Sequence, residues 1–216
     1  MYLSPLVFLL SVFAISTTAL PSPSLDSLEG QKLCPIYETG ILNFDDLKIG
    51  DLSGGSPVYK GFQWPGRIDW YVVGEKPGTQ APYHKGVFSK PHCLFSPFHN
   101  MVFFNSNNEF TFDLTSLMIT GVTADTRLND KNLNIRFVGF RKGQTEPSLK
   151  KSITVVNAWF NGGPTLVRFG TEWRDIEQVG IEASDTNPTN KPTTPGVLDP
   201  GFTIDDVKFS KRRMKC

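Results

Sequence analysis

Leu133-Asn134-Ile135-Arg136-Phe137 alternates apolar and polar side chains at every second position, a period that a pleated strand turns into one buried and one wet face. The alternation weakens at Val138-Gly139-Phe140, where both faces are expected to be covered. Similar short apolar segments recur between clusters of Gly, Pro, Asn and Asp, and predict antiparallel strands near residues 41–45, 58–64, 69–73, 101–104, 109–120, 133–141, 151–160, 165–169, 178–183 and 202–209. Trp173, Ile176 and Val179 fall at three-residue steps and allow a helical turn over 173–181, against which Gly180 argues. So many strands with at most one helical turn predict an all-β fold, a two-sheet antiparallel β-sandwich of jelly-roll type.

The ends of the chain differ from this pattern. Residues 3–19 are nearly uncharged around an apolar centre, with small residues at Thr17-Thr18-Ala19, so residues 1–19 read as a secretory signal peptide. The apolar centre is shorter than the ~20 residues of a spanning helix. Residues 20–33, with Pro21-Ser22-Pro23-Ser24, read as a flexible leader, and the sandwich domain is expected over 34–216. Inside it, residues 185–200 form a proline-rich surface loop, a lid, a rim or a plain spacer. Residues 208–216 read as a basic tail carrying Lys208, Lys211, Arg212, Arg213 and Lys215, solvated, or serving as a basic patch or a processing site.

Composition supports a turn-rich β-domain and narrows the partners. The 216 residues include 19 Gly, 16 Pro and 17 Phe, and aromatics favour strands and β-cores. Lys plus Arg number 22 against 21 Asp plus Glu, a balance that lacks the basic excess of nucleic-acid or anionic-membrane binders. Secretion would let disulfides persist. Of the three cysteines, Cys34 and Cys216 are the favoured pair because they lie near the domain ends, while Cys93 with either end stays open.

Four groups could carry chemistry. Asp45-Asp46 and Asp205-Asp206 lie on the first and last predicted strands, which are commonly neighbours in a jelly roll. Asp45 and Asp206 are therefore candidate ligands of a structural Ca²⁺, the alternative being carboxylates that cap local backbone amides. Ile204 and Val207, three apart, suggest a β-bulge there. His84, His92, His99 and Cys93 cluster, but their spacing suits a proline-broken loop better than a zinc site. Trp64, Trp70, Tyr71, Trp159 and Phe160 could stack on sugar rings or fill the core, with Trp64 and Trp70 the candidate contacts. Asn157 sits in an apolar run, as a loop strut or a ligand contact.

Five segments carry a family resemblance in order along the chain: 41–46 (ILNFDD), 59–64 (YKGFQW), 137–143 (FVGFRKG), 173–179 (WRDIEQV) and 202–207 (FTIDDV). Together the chain resembles secreted fungal proteins with a galactose-binding-like jelly roll, mostly without assigned function. The resemblance implies a sandwich similar to carbohydrate-binding modules, some of which hold a structural Ca²⁺ near the chain ends. The resulting expectation is a secreted, extracellular, non-catalytic protein that binds extracellular or cell-wall carbohydrate. The rivals are an effector-like protein with a protein partner and, less favoured, a glycan hydrolase or lyase offering Glu172 and Asp175.

Overall fold

Among the described residues, twelve strands form from the alternating segments: β1 (Ile36–Leu42), β2 (Val58–Tyr59), β3 (Phe62–Gln63), β4 (Tyr71–Gly74), β5 (His92–Ser96), β6 (Val102–Asn105), β7 (Phe110–Val122), β8 (Asn132–Arg141), β9 (Leu149–Val156), β10 (Thr165–Arg168), β11 (Ile176–Asp185) and β12 (Gly201–Arg213). The computed structural model describes residues 33–52, 54–66, 70–75, 83–97, 101–122, 132–158, 161–186 and 200–215. The segments expected to be a signal peptide (1–19) and a leader (20–33, except Leu33) lie outside these residues, as does most of the proline-rich segment 185–200. Cys34–Cys216 forms one compact unit.

The strand pairs are antiparallel and build a two-sheet sandwich. In one layer β12 runs beside β7, with β1 and β5 along different stretches of its other edge, β4 beyond β5 and β10 beyond β7. In the other, β11 lies between β6 and β8, continued by β3 and β2 on one side and β9 on the other. The pair Ile176 with Phe112 links the layers along their hydrogen-bonded edges. Between them sits an aromatic core: Phe62 of β3 meets Phe112 of β7 and Phe209 of β12 edge-on at 5.0 and 4.9 Å, and Phe104 of β6 stacks on Phe112. Each such buried side chain is worth roughly 1.5–3 kcal/mol over its exposed state.

The expected adjacency of first and last strands holds, since β1 pairs with β12 from Leu42–Val207 to Ile36–Arg212. The bulge is present too. The β7–β12 register shifts between Asp205 and Lys208, so Ile204 and Val207, three apart, both face the core. A second bulge, between Ile176 and Gln178, explains the three-step spacing that suggested a helix. Ile176 and Val179 are both fully buried in a strand, and Trp173 fills the core from the preceding turn.

Other boundaries differ for local reasons. The strand expected over 58–64 is a hairpin, turned at Lys60 and Gly61 with φ of 47° and 84°, the positive-φ pair that a tight hairpin requires. Phe44, at φ 60°, starts a turn closed by Leu47 N–H on its carbonyl at 3.1 Å, so Asp45 and Asp46 follow strand β1 instead of lying in it. β5 falls in the stretch expected to be a loop, because Pro91 and Pro97 bracket the strand without interrupting its hydrogen bonds. The basic tail is mostly strand: β12 continues to Arg213, and Lys211 and Arg212 are buried. Lys211 donates to the Lys60 carbonyl at 3.0 Å and pairs with Glu38 at 2.9 Å, bracing the β2–β3 hairpin.

Candidate functional site

The described aromatic and amide candidates are built into the fold. Trp64 and Trp70 have no exposed surface. Trp64 stacks on Phe104 at 4.9 Å and meets Trp70 edge-on at 5.1 Å, while the Trp70 indole N–H donates to the Phe103 carbonyl at 3.1 Å. Neither indole offers a face to a sugar ring, which corrects their assignment as ligand contacts. Asn157 is equally buried; it bridges to Gly121, and its carbonyl accepts the Gly162 N–H at 3.0 Å, the arrangement of a loop strut. Trp159, Phe160 and His99 lie outside the described residues.

Three of the four aspartates have separate partners. Asp45 accepts from the Asn43 side-chain amide at 2.8 Å and from the His92 backbone N–H at 3.3 Å, fastening the start of β5. Asp46 accepts the Tyr59 hydroxyl at 2.5 Å, which holds its carboxyl below the usual carboxylate range. Asp205, at the bulge, accepts the backbone N–H groups of Phe88, Ser89 and Asp206, each at 2.8 Å, and the Ser89 hydroxyl at 3.0 Å. Burial nevertheless pushes it up to about 7. Asp206 takes the positive φ of 45° that the bulge demands. Among the described residues no three His, Cys, Asp or Glu side chains gather as a metal site of such ligands would.

Cys93 is a free thiol buried beneath Thr203 and near Asp205, and burial raises its pKa well above the ordinary thiol value. A buried, protonated thiol is a poor nucleophile and a poor handle for another molecule. Cys34 lies at the start of the compact unit; Cys216 is outside the described residues. Asp175 accepts the Thr111 hydroxyl at 2.5 Å, and its backbone N–H donates to Asp113, so it serves the turn before β11.

A pocket of about 390 Å³ lies elsewhere, lined by Gln63, Asn105, Asn107, Asn108, Phe140, Gly143, Gln144, Thr145, Glu177 and Gln178. Its floor follows from strand register. Gln63 of β3 pairs with Asn105 of β6, Asn105 with Gln178 of β11, and Gln178 with Phe140 of β8. Directly opposed residues project from the same face of a sheet, so three amides and one ring form a row across four strands, about 14 Å long at ~4.8 Å per strand. The face is the outer one: Phe62, Phe104, Val179 and Phe137, out of phase with the row, are buried in the core, whereas all four members of the row are half-exposed.

Two turns make the walls. Asn107 and Asn108, both at positive φ, close the β6–β7 turn, with Glu109 N–H on the Ser106 carbonyl at 3.0 Å; asparagine tolerates that conformation where most side chains do not. Asn107 N–H also donates to the Asn105 side-chain oxygen at 2.8 Å, docking the turn on the floor. Opposite, the β8–β9 turn is held by Gly143 N–H on the Glu177 carboxylate at 3.2 Å and by the Gln144 side chain, which accepts the Arg141 N–H. Beside the floor, Phe140 meets Phe103 edge-on at 6.1 Å. Gly180 makes room there, since a Cβ would lie 2.7 Å from the Phe103 ring.

This arrangement is legible only after the strands are paired, because each strand contributes a single half-exposed polar or aromatic residue. The weakened alternation at Val138-Gly139-Phe140 was the one local signal.

Comparison with known proteins bears on the fold alone. No family model and no curated protein matches the sequence. Among solved structures, a DUF4465 family protein from Bacteroides caccae ATCC 43185 superposes with a TM-score of 0.51 at 8% identity, covering 82% of this chain and 100% of that one. That similarity is one of fold. TmCBM61, solved in complex with β-1,4-galactotriose, aligns over 67% of this chain and 88% of its own with a TM-score of 0.30 and 13% identity, too distant to bear on the site.

Proposed function

We propose that the protein is a secreted, non-catalytic module that binds carbohydrate in the pocket formed by Gln63, Asn105, Gln178 and Phe140. The observation that carries this reading is the cross-strand row itself. Sugar hydroxyls both donate and accept, and a side-chain amide does the same with fixed geometry; the Phe140 ring supplies an apolar surface for the C–H side of a sugar. The volume falls within the ~300–1,000 Å³ usual for small-ligand sites. One carboxylate, Glu177, is among the lining residues, whereas hydrolysis of a glycosidic bond ordinarily uses two. The apolar segment at residues 3–19 supports export.

The features that suggested a protein partner weaken as the structure is built. The odd cysteine Cys93 is buried, and Lys211 and Arg212 of the basic tail are internal to the fold. A glycan array and insoluble-polysaccharide pull-down with wild type, Gln178→Ala and Phe140→Ala tests the reading. Binding by wild type that both variants lose, with no sugar released, supports it. Retention unaffected by either substitution contradicts it.

A further inference from the structure

Resting on that reading, we infer that Glu177 makes the pocket selective, accepting neutral and amino sugars and rejecting acidic ones. Glu177 is the single charged side chain among the ten lining residues; the others are amides, a threonine, a phenylalanine and a glycine. Its position is fixed from two directions. The backbone carbonyl accepts the Ser106 N–H at 3.0 Å, and carboxylate Oε2 accepts the Gly143 N–H at 3.2 Å.

Arg174, three residues before Glu177, is exposed and outside the lining, and the cations next to Phe140 and Gly143 are directed elsewhere or lie outside it too. Arg141 donates to the Glu172 carbonyl at 3.0 Å, and Lys142 is exposed and not among the lining residues. A sugar carboxylate entering the pocket would therefore face a like charge with no lining cation to offset it, while a sugar ammonium would meet an acceptor able to form a charge-assisted hydrogen bond. At separations of several ångströms and an effective dielectric near 20, the repulsion is enough for roughly a tenfold loss of affinity.

Isothermal titration with β-1,4-linked trisaccharides separates this inference from the reading beneath it. The probes share linkage and differ in charge: the neutral hexose trimer, its uronic acid counterpart and the amino-sugar trimer, each in the gluco and galacto series. The expected result is binding of the neutral and amino trimers at least about tenfold tighter than the acidic one, with Glu177→Gln bringing all three within about twofold. Glutamine keeps an oxygen for the Gly143 N–H, so the turn should stay docked, and an unchanged melting temperature checks this. Equal binding of acidic and neutral trimers by wild type, or a gap that survives Glu177→Gln, overturns the selectivity and leaves the pocket standing. No binding by any trimer, or binding insensitive to Gln178→Ala, overturns the pocket reading and the selectivity with it.

Discussion

Arg212 grips Asp113 with two hydrogen bonds, Nε to Oδ1 at 2.6 Å and Nη2 to Oδ2 at 2.5 Å, across the neighbouring strands β12 and β7. Both side chains are nearly buried, and the pair reaches further: Arg212 Nη1 donates to the Cys34 carbonyl at 2.7 Å, and Asp113 Oδ1 accepts the Asp175 N–H at 3.1 Å. One ion pair thus fastens the start of the domain, its last strand and the turn that leads into β11.

Asp113→Ala leaves a guanidinium buried without its carboxylate and should lower unfolding free energy by about 3–5 kcal/mol. Replacing both partners with apolar residues, as in Asp113→Leu with Arg212→Met, should cost much less than the single change. Urea unfolding of the three variants checks the ordering.

Asp205 sets a pH dependence. Burial pushes its carboxyl up to about 7 in the folded protein, above its ordinary value of 3.8, so between these two values the native state holds a proton that the unfolded chain has already released. The contribution to stability is complete below about pH 4, declines as pH rises towards 7 and is flat above. Unfolding free energy should therefore fall between pH 4 and 7 with a slope approaching ~1.4 kcal/mol per pH unit from this group, and Asp205→Asn should flatten it. Equal slopes for the two proteins would count against the assignment.

The tryptophans and the pocket should separate cleanly in a mutant series. Trp64→Ala removes a fully buried indole packed on Phe104 and Trp70 and should destabilise by about 3–5 kcal/mol. Gln178→Ala, on the outer face, should weaken sugar binding while shifting the melting temperature little. Thermal melts paired with titration calorimetry distinguish the two behaviours.

Much of the fold can be read from alternation, as Leu133 to Phe137 shows, and the adjacency of first and last strands follows from jelly-roll topology. The bulge at Ile204 and Val207 shows in the sequence as a broken alternation, whereas the one in β11 hid the periodicity by placing Ile176 with Val179 on one face at helical spacing. Prolines at both ends of β5 looked like interruptions because sequence does not say which backbone amides need a partner. The pocket was out of reach for a different reason. Gln63, Asn105, Phe140 and Gln178 are far apart in the chain and become one surface only through register, whereas the conspicuous tryptophans are large enough to be drawn into the core.

Register also bears on the cysteines. Ile36 pairs with Arg212, whose guanidinium donates to the Cys34 carbonyl, so Cys34 lies against the last strand, and Cys93 is a free buried thiol. Non-reducing peptide mapping should recover a Cys34–Cys216 bridge, with Cys93 alkylated only after denaturation. Rapid alkylation of Cys93 in the native protein would contradict this.

The separate partners of Asp45, Asp46 and Asp205 predict a melting temperature unchanged by EDTA. A drop of several degrees, reversed by added Ca²⁺, would restore a calcium site built from other oxygens.

The most direct measurement is an NMR titration of the isotopically labelled protein with the neutral trisaccharides, following side-chain amide resonances. The account predicts that the NH₂ signals of Gln63, Asn105 and Gln178 shift together and saturate with one affinity. Shifts confined to residues away from that row, or none at all, would contradict it.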